Sequence, residues 1–163
     1  MDIQISLSGA SIDAAIKQLE AYKSTIKEKE NELVRRLANV GLQKATVLYS
    51  SAQYDGQKDF SVTIEPIDNG YAVVASGETV AFLEFGAGAT YGYGHPQAGQ
   101  FGMGPGTYPS DKGHWDNPKG WWIPKEHGGG HTYGNAPSMA MYDAAKSIHD
   151  AVKQAAQEVF GHG

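Results

Sequence analysis

The chain has 163 residues, of which 40% are hydrophobic and 19% charged, with a net charge of −5 and no cysteine. At about 150 residues per domain this length predicts a single domain over 1–163, with enough apolar material for one core and too much for a wholly disordered chain. Disulfide scaffolds, thiol enzymes, iron–sulfur proteins and cysteine-type zinc fingers are excluded, and the acidic balance argues against a general nucleic-acid binder.

The opening MDIQISLSGA has neither a basic n-region nor an apolar run, and no stretch approaches the ~20 consecutive apolar residues of a membrane helix. A cytoplasmic chain with no membrane partner is expected. The charge is uneven: Ser11 to Lys44 carries seven Lys/Arg against five Asp/Glu, and Ala45 to Gly163 carries six against twelve. A mildly basic segment on an acidic body suits contact between copies of one protein as well as contact with a foreign partner.

Ile12, Leu19, Ile26, Leu33, Val40 and Val47 recur every seven positions, with Ile16, Tyr22, Leu37 and Leu48 beside them. This predicts a helical region over 11–50 with one apolar face. Ser8 or Ser11 suits its N-cap, and Thr25 with Glu28 has capping-box spacing, so the region fits either one helix or two that meet near Ser24. Between Lys23 and Glu32 only Ile26 is a large apolar residue, so that stretch is either solvated or covered by a partner.

Phe60, Val62 and Ile64 alternate with polar residues, Asp68-Asn69-Gly70 supplies a turn, and Tyr71 to Ala75 returns, which predicts a β-hairpin. Thr79 to Phe85 fits either a third strand or a short helix. From Gly86 to Gly134 fall 14 of the 21 glycines and five of the seven prolines, together with all three tryptophans and four tyrosines. That glycine and proline content signals a tract without regular structure, yet disordered linkers lack aromatics. The reading is a long functional loop that orders against something, with Gly120 to Pro124 its most strand-like part. Asn135 or Ser138 then caps a final helix over 136–160, with Pro137 in its first turn and Gly161 as its stop. The fold class is therefore α+β: a small antiparallel sheet flanked by a long N-terminal helical region and a C-terminal helix, with a long Gly/aromatic loop.

Glu126-His127-Gly128-Gly129-Gly130-His131 places two histidines at i, i+4, half of a helical zinc site, but three glycines at about 1 kcal/mol each remove the helix that gives this spacing its meaning. A loop site drawing on His95, His114, His127 and His131, with Glu126, Asp111 or Asp116, is outweighed by a glycine turn with exposed histidines. His-Gly-Gly-Gly resembles an esterase oxyanion loop, but no Gly-x-Ser-x-Gly elbow accompanies it, and the glycines from Gly86 to Gly94 precede no phosphate-loop Lys. Glu84 could pair with another acid in a hydrolase. The favoured reading of this carboxylate, set between Leu83 and Phe85, is structural: it caps backbone N–H groups or pairs with a cation. Tyr91, Tyr93, Trp115, Trp121, Trp122 and Tyr133 suit a protein interface better than nucleobase stacking, for lack of neighbouring basic residues.

Read together, the helix, the strands closing on Asn-Gly-Tyr-Ala-Val-Val-Ala-Ser-Gly, then Val-Ala-Phe-Leu-Glu-Phe-Gly-Ala-Gly, Trp-Trp-Ile-Pro, and His-Thr-Tyr-Gly-Asn-Ala-Pro-Ser-Met-Ala-Met-Tyr resemble the HK97 gp10-like family of tailed-bacteriophage neck and tail-completion proteins. The most specific segments are Phe82 to Gly86 and Asn135 to Tyr142, and neither is catalytic. The chain departs from shorter members at Ser50 to Asp59, where they carry a Pro-x-x-Thr-Gly-x-Leu-Arg-like stretch, and in the length of its loop.

The resemblance implies a structural virion protein of a phage or prophage, not an enzyme, without cofactor or metal, present in the host bacterial cytoplasm during assembly. Its implied partners are itself as a ring and the neighbouring head-closure, tail-terminator or tail-tube proteins, with at most passive contact with passing DNA. Ile26, Glu84, Phe85, Tyr91, Tyr93, Trp115, Trp121, Trp122, Met139 and Met141 are the candidate interface residues. The alternative is a loop-based metal-dependent enzyme or an aromatic carbohydrate-binding module.

Overall fold

A computed structural model describes residues 8–52, 59–108 and 115–161. Helix α1 runs unbroken over Gly9–Ser51, followed by β1 (Ser61–Ile67), β2 (Gly70–Ser76) and the short helix α2 (Val80–Phe85). The loop region then contains β3 (Trp121–Ile123) and β4 (Gly130–Thr132), with 3-10 turns at Ala98–Phe101 and Lys125–His127, and the chain closes with α3 (Ala140–Phe160). The α+β class is as the sequence predicts. Among the described residues no helix is long and apolar enough to cross a membrane.

Of the two arrangements open for this region, the structure has the single helix, unbroken at Ser24. No proline occurs before Pro66 and no glycine lies between Gly9 and Gly41, so nothing forces the backbone out of the helix. The hydroxyls that suggested a cap bond within the helix instead: Thr25 Oγ1 donates to the Ala21 carbonyl at 3.1 Å and Ser24 Oγ to Glu28 at 3.4 Å. The cap at the true start is Ser8, whose side chain accepts the Ser11 N–H at 3.3 Å.

β1 and β2 pair antiparallel from Ser61↔Ser76 to Ile67↔Gly70, as the Asp68-Asn69 turn requires. The undecided segment after them is helical: Leu83 N–H bonds the Thr79 carbonyl at 2.9 Å. Ala45, Tyr49, Leu83, Ala140 and Ala144 form the centre of the core, with Phe60, Val62, Ala75 and Val80 packed around it. Small residues dominate because α1, α3 and β2 meet closely. A Cβ on Gly41 would stand 2.6 Å from Ile148 Cδ1 and 3.2 Å from Val73 Cγ2, so glycine sets how near α3 and β2 approach α1. The helices run antiparallel, with Ala144 packed in one cluster with Ala45, and Arg36 bonded to Glu158 at 3.1 Å.

A further expectation is corrected. The helix placed over 136–160 begins at Ala140, and neither Asn135 nor Ser138 caps it. Its N-cap is Met139, held in the left-handed region at φ 52° without a side-chain cap bond. The loop region carries local pairing: Trp121↔Thr132 through Ile123↔Gly130 pair antiparallel, and Ala87 and Asn135 form a two-residue bridge.

Candidate functional site

The most elaborate polar arrangement in the described structure surrounds Glu84, which is only 5% exposed. Helix α2 delivers this carboxylate into the interior because Leu83 and Glu84 occupy its inner face while Ala81 stays outside. Oε2 accepts the Tyr49 hydroxyl at 2.9 Å and the Met141 N–H at 2.9 Å. Oε1 accepts the Tyr142 N–H at 3.0 Å and lies 3.2 Å from His95 Nε2. The Gln97 N–H donates to His95 Nδ1 at 3.1 Å, which leaves Nε2 to carry the ring proton and donate it to Glu84.

The carboxylate is thus a helix cap supplied from a distant part of the chain. It satisfies two of the first N–H groups of α3, and its negative charge complements the positive end of the helix dipole. Burial, together with the adjacent Glu84 charge, pushes the Tyr49 phenol well above the ordinary tyrosine range, so Tyr49 is a donor fixed in its neutral form. All four bonds to Glu84 come from the protein's own groups. The structural reading of this residue is the one the geometry bears out, and backbone N–H groups and neutral side chains are its partners in place of a Lys or Arg.

The same joint unites the two segments that carry the family resemblance. Asn135 Nδ2 donates to the Phe82 carbonyl at 2.9 Å, Ser138 N–H to the Leu83 carbonyl at 2.8 Å, and Met139 N–H to the Glu84 carbonyl at 3.2 Å. Ala87 and Asn135 exchange both backbone bonds, at 2.9 and 3.0 Å. Gly134 faces this bridge at φ 98°, and a Cβ there would run into the Ala87 carbonyl.

Beside the joint lies an open groove of about 730 Å³ between α2, α3 and the Gly-rich segment. Its walls include Ala75, Val80, Phe85, Phe101, Met141 and Ala145. Phe85 packs on His95 and Phe101, with ring centroids 4.5 and 5.2 Å apart. Glu84 and His95 face the groove, but their bonding capacity is used by the joint, so the groove presents chiefly apolar surface.

The ten candidate interface residues divide. Glu84 belongs to the interior and is removed from the set. Met139 is half-buried at the head of α3, Phe85 and Met141 line the groove, and Trp115 packs on Phe82 and Tyr108 with centroids 4.7 and 5.5 Å apart. Trp121 is half-buried in β3, whereas Ile26, Tyr91, Tyr93 and Trp122 are exposed. Trp122 is 76% exposed and begins a ladder, Trp122–His131–Tyr133, with successive centroids at 5.2 and 4.9 Å. Sequence reasoning missed Tyr49 as a Glu84 partner and considered His95 only as a metal ligand. It also passed over Phe101, exposed on the groove wall.

Among the described residues the members of the weighed metal site are not brought together. His95 is bonded to Glu84, His131 stands in the aromatic ladder and His127 ends a 3-10 turn. Asp111 and His114 lie outside the described residues, and among the described ones no three His, Asp or Glu side chains are grouped to hold an ion. Comparison with protein-family models, curated proteins and solved structures found no match to this chain.

Proposed function

We propose that this chain is a structural subunit of the neck or tail-completion region of a tailed phage or prophage, acting through assembly into a ring and not through turnover. The observation that carries this reading is the joint itself. The two segments resembling the HK97 gp10-like family, Phe82–Gly86 and Asn135–Tyr142, bond to each other through five backbone and side-chain contacts centred on Glu84. A shared motif whose polar atoms are spent on holding a helix to a loop fits a family defined by architecture.

A ring of identical subunits needs two different complementary patches on each copy. Exposed apolar side chains on α1 and the open groove at the opposite end of that helix support this requirement. The partners are further copies of the chain and the neighbouring head-closure, tail-terminator or tail-tube proteins, and the site of action is the virion. Deleting the gene from the phage that encodes it tests the reading. Filled heads and separate tails that fail to join are expected; intact, infectious particles would refute it.

One observation favours a second reading, binding of a sugar on the Trp122–His131–Tyr133 ladder, because exposed aromatic faces stack on sugar rings. Tryptophan fluorescence titrated with cell-wall oligosaccharides tests it: saturable quenching lost in Trp122→Ala supports it, and no change refutes it.

A further inference from the structure

Two exposed apolar features of the described chain sit at opposite ends of one helix. Ile12, Ile16, Leu19, Tyr22 and Ile26 are each 37–53% exposed. At 100° per residue they span an arc of roughly 120°, a width that ordinarily faces a core. Farther along the same helix, Ala38, Gly41 and Ala45 turn into the body. The body ends before it: Lys29 stands over the Phe160 ring at the end of α3, and the β1–β2 turn reaches α1 alongside Lys27. The groove is at the other end, where Tyr49 forms part of its wall.

We infer that the apolar row of one copy docks in the Phe85–Phe101–Ala145 groove of a second copy, joining subunits head to tail. This inference rests on the self-assembly reading above and names its surfaces. Along the axis of α1, about 45 Å separates Leu19 from Tyr49, so a continuous helix cannot fold its own row into its own groove. Two complementary patches at opposite ends of a rod are satisfied between copies, and the ring reading selects the heterologous contact, which closes into a ring or propagates, over a reciprocal pair.

The areas agree with this. Five half-exposed side chains of this size present on the order of 500 Å² of apolar surface, at the upper end of what monomers leave in water. With polar flanks added, the contact approaches the roughly 800 Å² per partner of a stable interface. The groove's own polar floor is occupied by the Glu84 joint, which suits an apolar occupant.

Cysteine cross-linking tests this directly, because the chain has no cysteine of its own. Leu19 and Ala145 are both exposed, so Leu19→Cys and Ala145→Cys leave the fold intact, which circular dichroism checks. Under mild oxidation the double variant is expected to give a ladder of covalent multimers. A mixture of the two single variants should give covalent dimers, and each single variant alone should stay monomeric on a denaturing gel. Dimers from Leu19→Cys alone would mean that the helices pair with each other and would overturn the inference. A wild-type ring whose double variant does not cross-link would overturn the inference and leave the ring reading standing. A wild-type chain that is monomeric at every concentration would overturn both.

Discussion

The Tyr49 hydroxyl donates to the Glu84 carboxylate at 2.9 Å, and this bond connects the last turn of α1 to the first turn of α3 through a residue on neither. Tyr49 is fully buried and belongs to the core cluster, so the polar joint and the apolar core share a residue. Removing the carboxylate strands a buried hydroxyl, an imidazole N–H and two backbone N–H groups. Glu84→Ala is therefore expected to lower stability by about 3 kcal/mol or more, and Tyr49→Phe by about 1–2 kcal/mol. Urea unfolding curves measure both, and a Glu84→Ala loss below about 1 kcal/mol would contradict the joint.

Tyr49 also sets an alkaline limit. Its folded-state pKa is raised, chiefly by burial and secondly by the Glu84 charge. A group raised in this way favours folding fully below its unfolded value of about 10, and the contribution is lost as pH climbs beyond that value toward the folded one. Stability should fall steeply above about pH 10, and Tyr49→Phe should flatten that fall while lowering stability at neutral pH. Unfolding midpoints measured from pH 7 to 11 check the slope in both proteins.

Met139 is the one residue other than glycine with positive φ among those described, at 52°. A β-branched side chain in the left-handed region costs about 1–2 kcal/mol, whereas glycine adopts this conformation freely. Met139→Gly is expected to be more stable than Met139→Val by about 1 kcal/mol or more, although valine keeps more apolar surface. The reverse order in thermal unfolding would place the head of α3 differently.

Two glycines with similar positive φ, Gly134 at 98° and Gly106 at 81°, should respond differently to the same substitution. At Gly134 an added Cβ meets the Ala87 carbonyl, whereas at Gly106, φ 81°, nothing lies within 4 Å. Gly106→Ala should cost only the roughly 1 kcal/mol of the left-handed conformation. Gly134→Ala should cost clearly more, because it also breaks the bridge between Ala87 and Asn135. Equal losses in denaturant unfolding would contradict the bridge.

Much of the fold was legible because its signals are local. The seven-residue recurrence from Ile12 to Val47 marks α1, and alternation around Asp68-Asn69-Gly70 marks the hairpin, since in each case the period is written in neighbouring residues. The head of α3 was misplaced because its cap is not local. Asn135 and Ser138 are good caps by composition, but Asn135 bonds to Phe82 and Ala87, and the N–H groups of Met141 and Tyr142 are satisfied by Glu84. The sequence singled out Glu84 by its apolar neighbours and suggested backbone capping, yet nothing near it pointed to Tyr49 or His95. Composition made Gly86–Gly134 look unstructured because glycine and proline were counted without the bridge and hairpin that use them.

Self-assembly is the central claim, and a native mass spectrum of the purified chain tests it most directly. A single closed oligomer of six or more subunits, with a mass equal to a whole multiple of the 17.4 kDa chain and no added metal, is the expected result. A monomer at all concentrations, or a monomer carrying a stoichiometric metal ion, would contradict it.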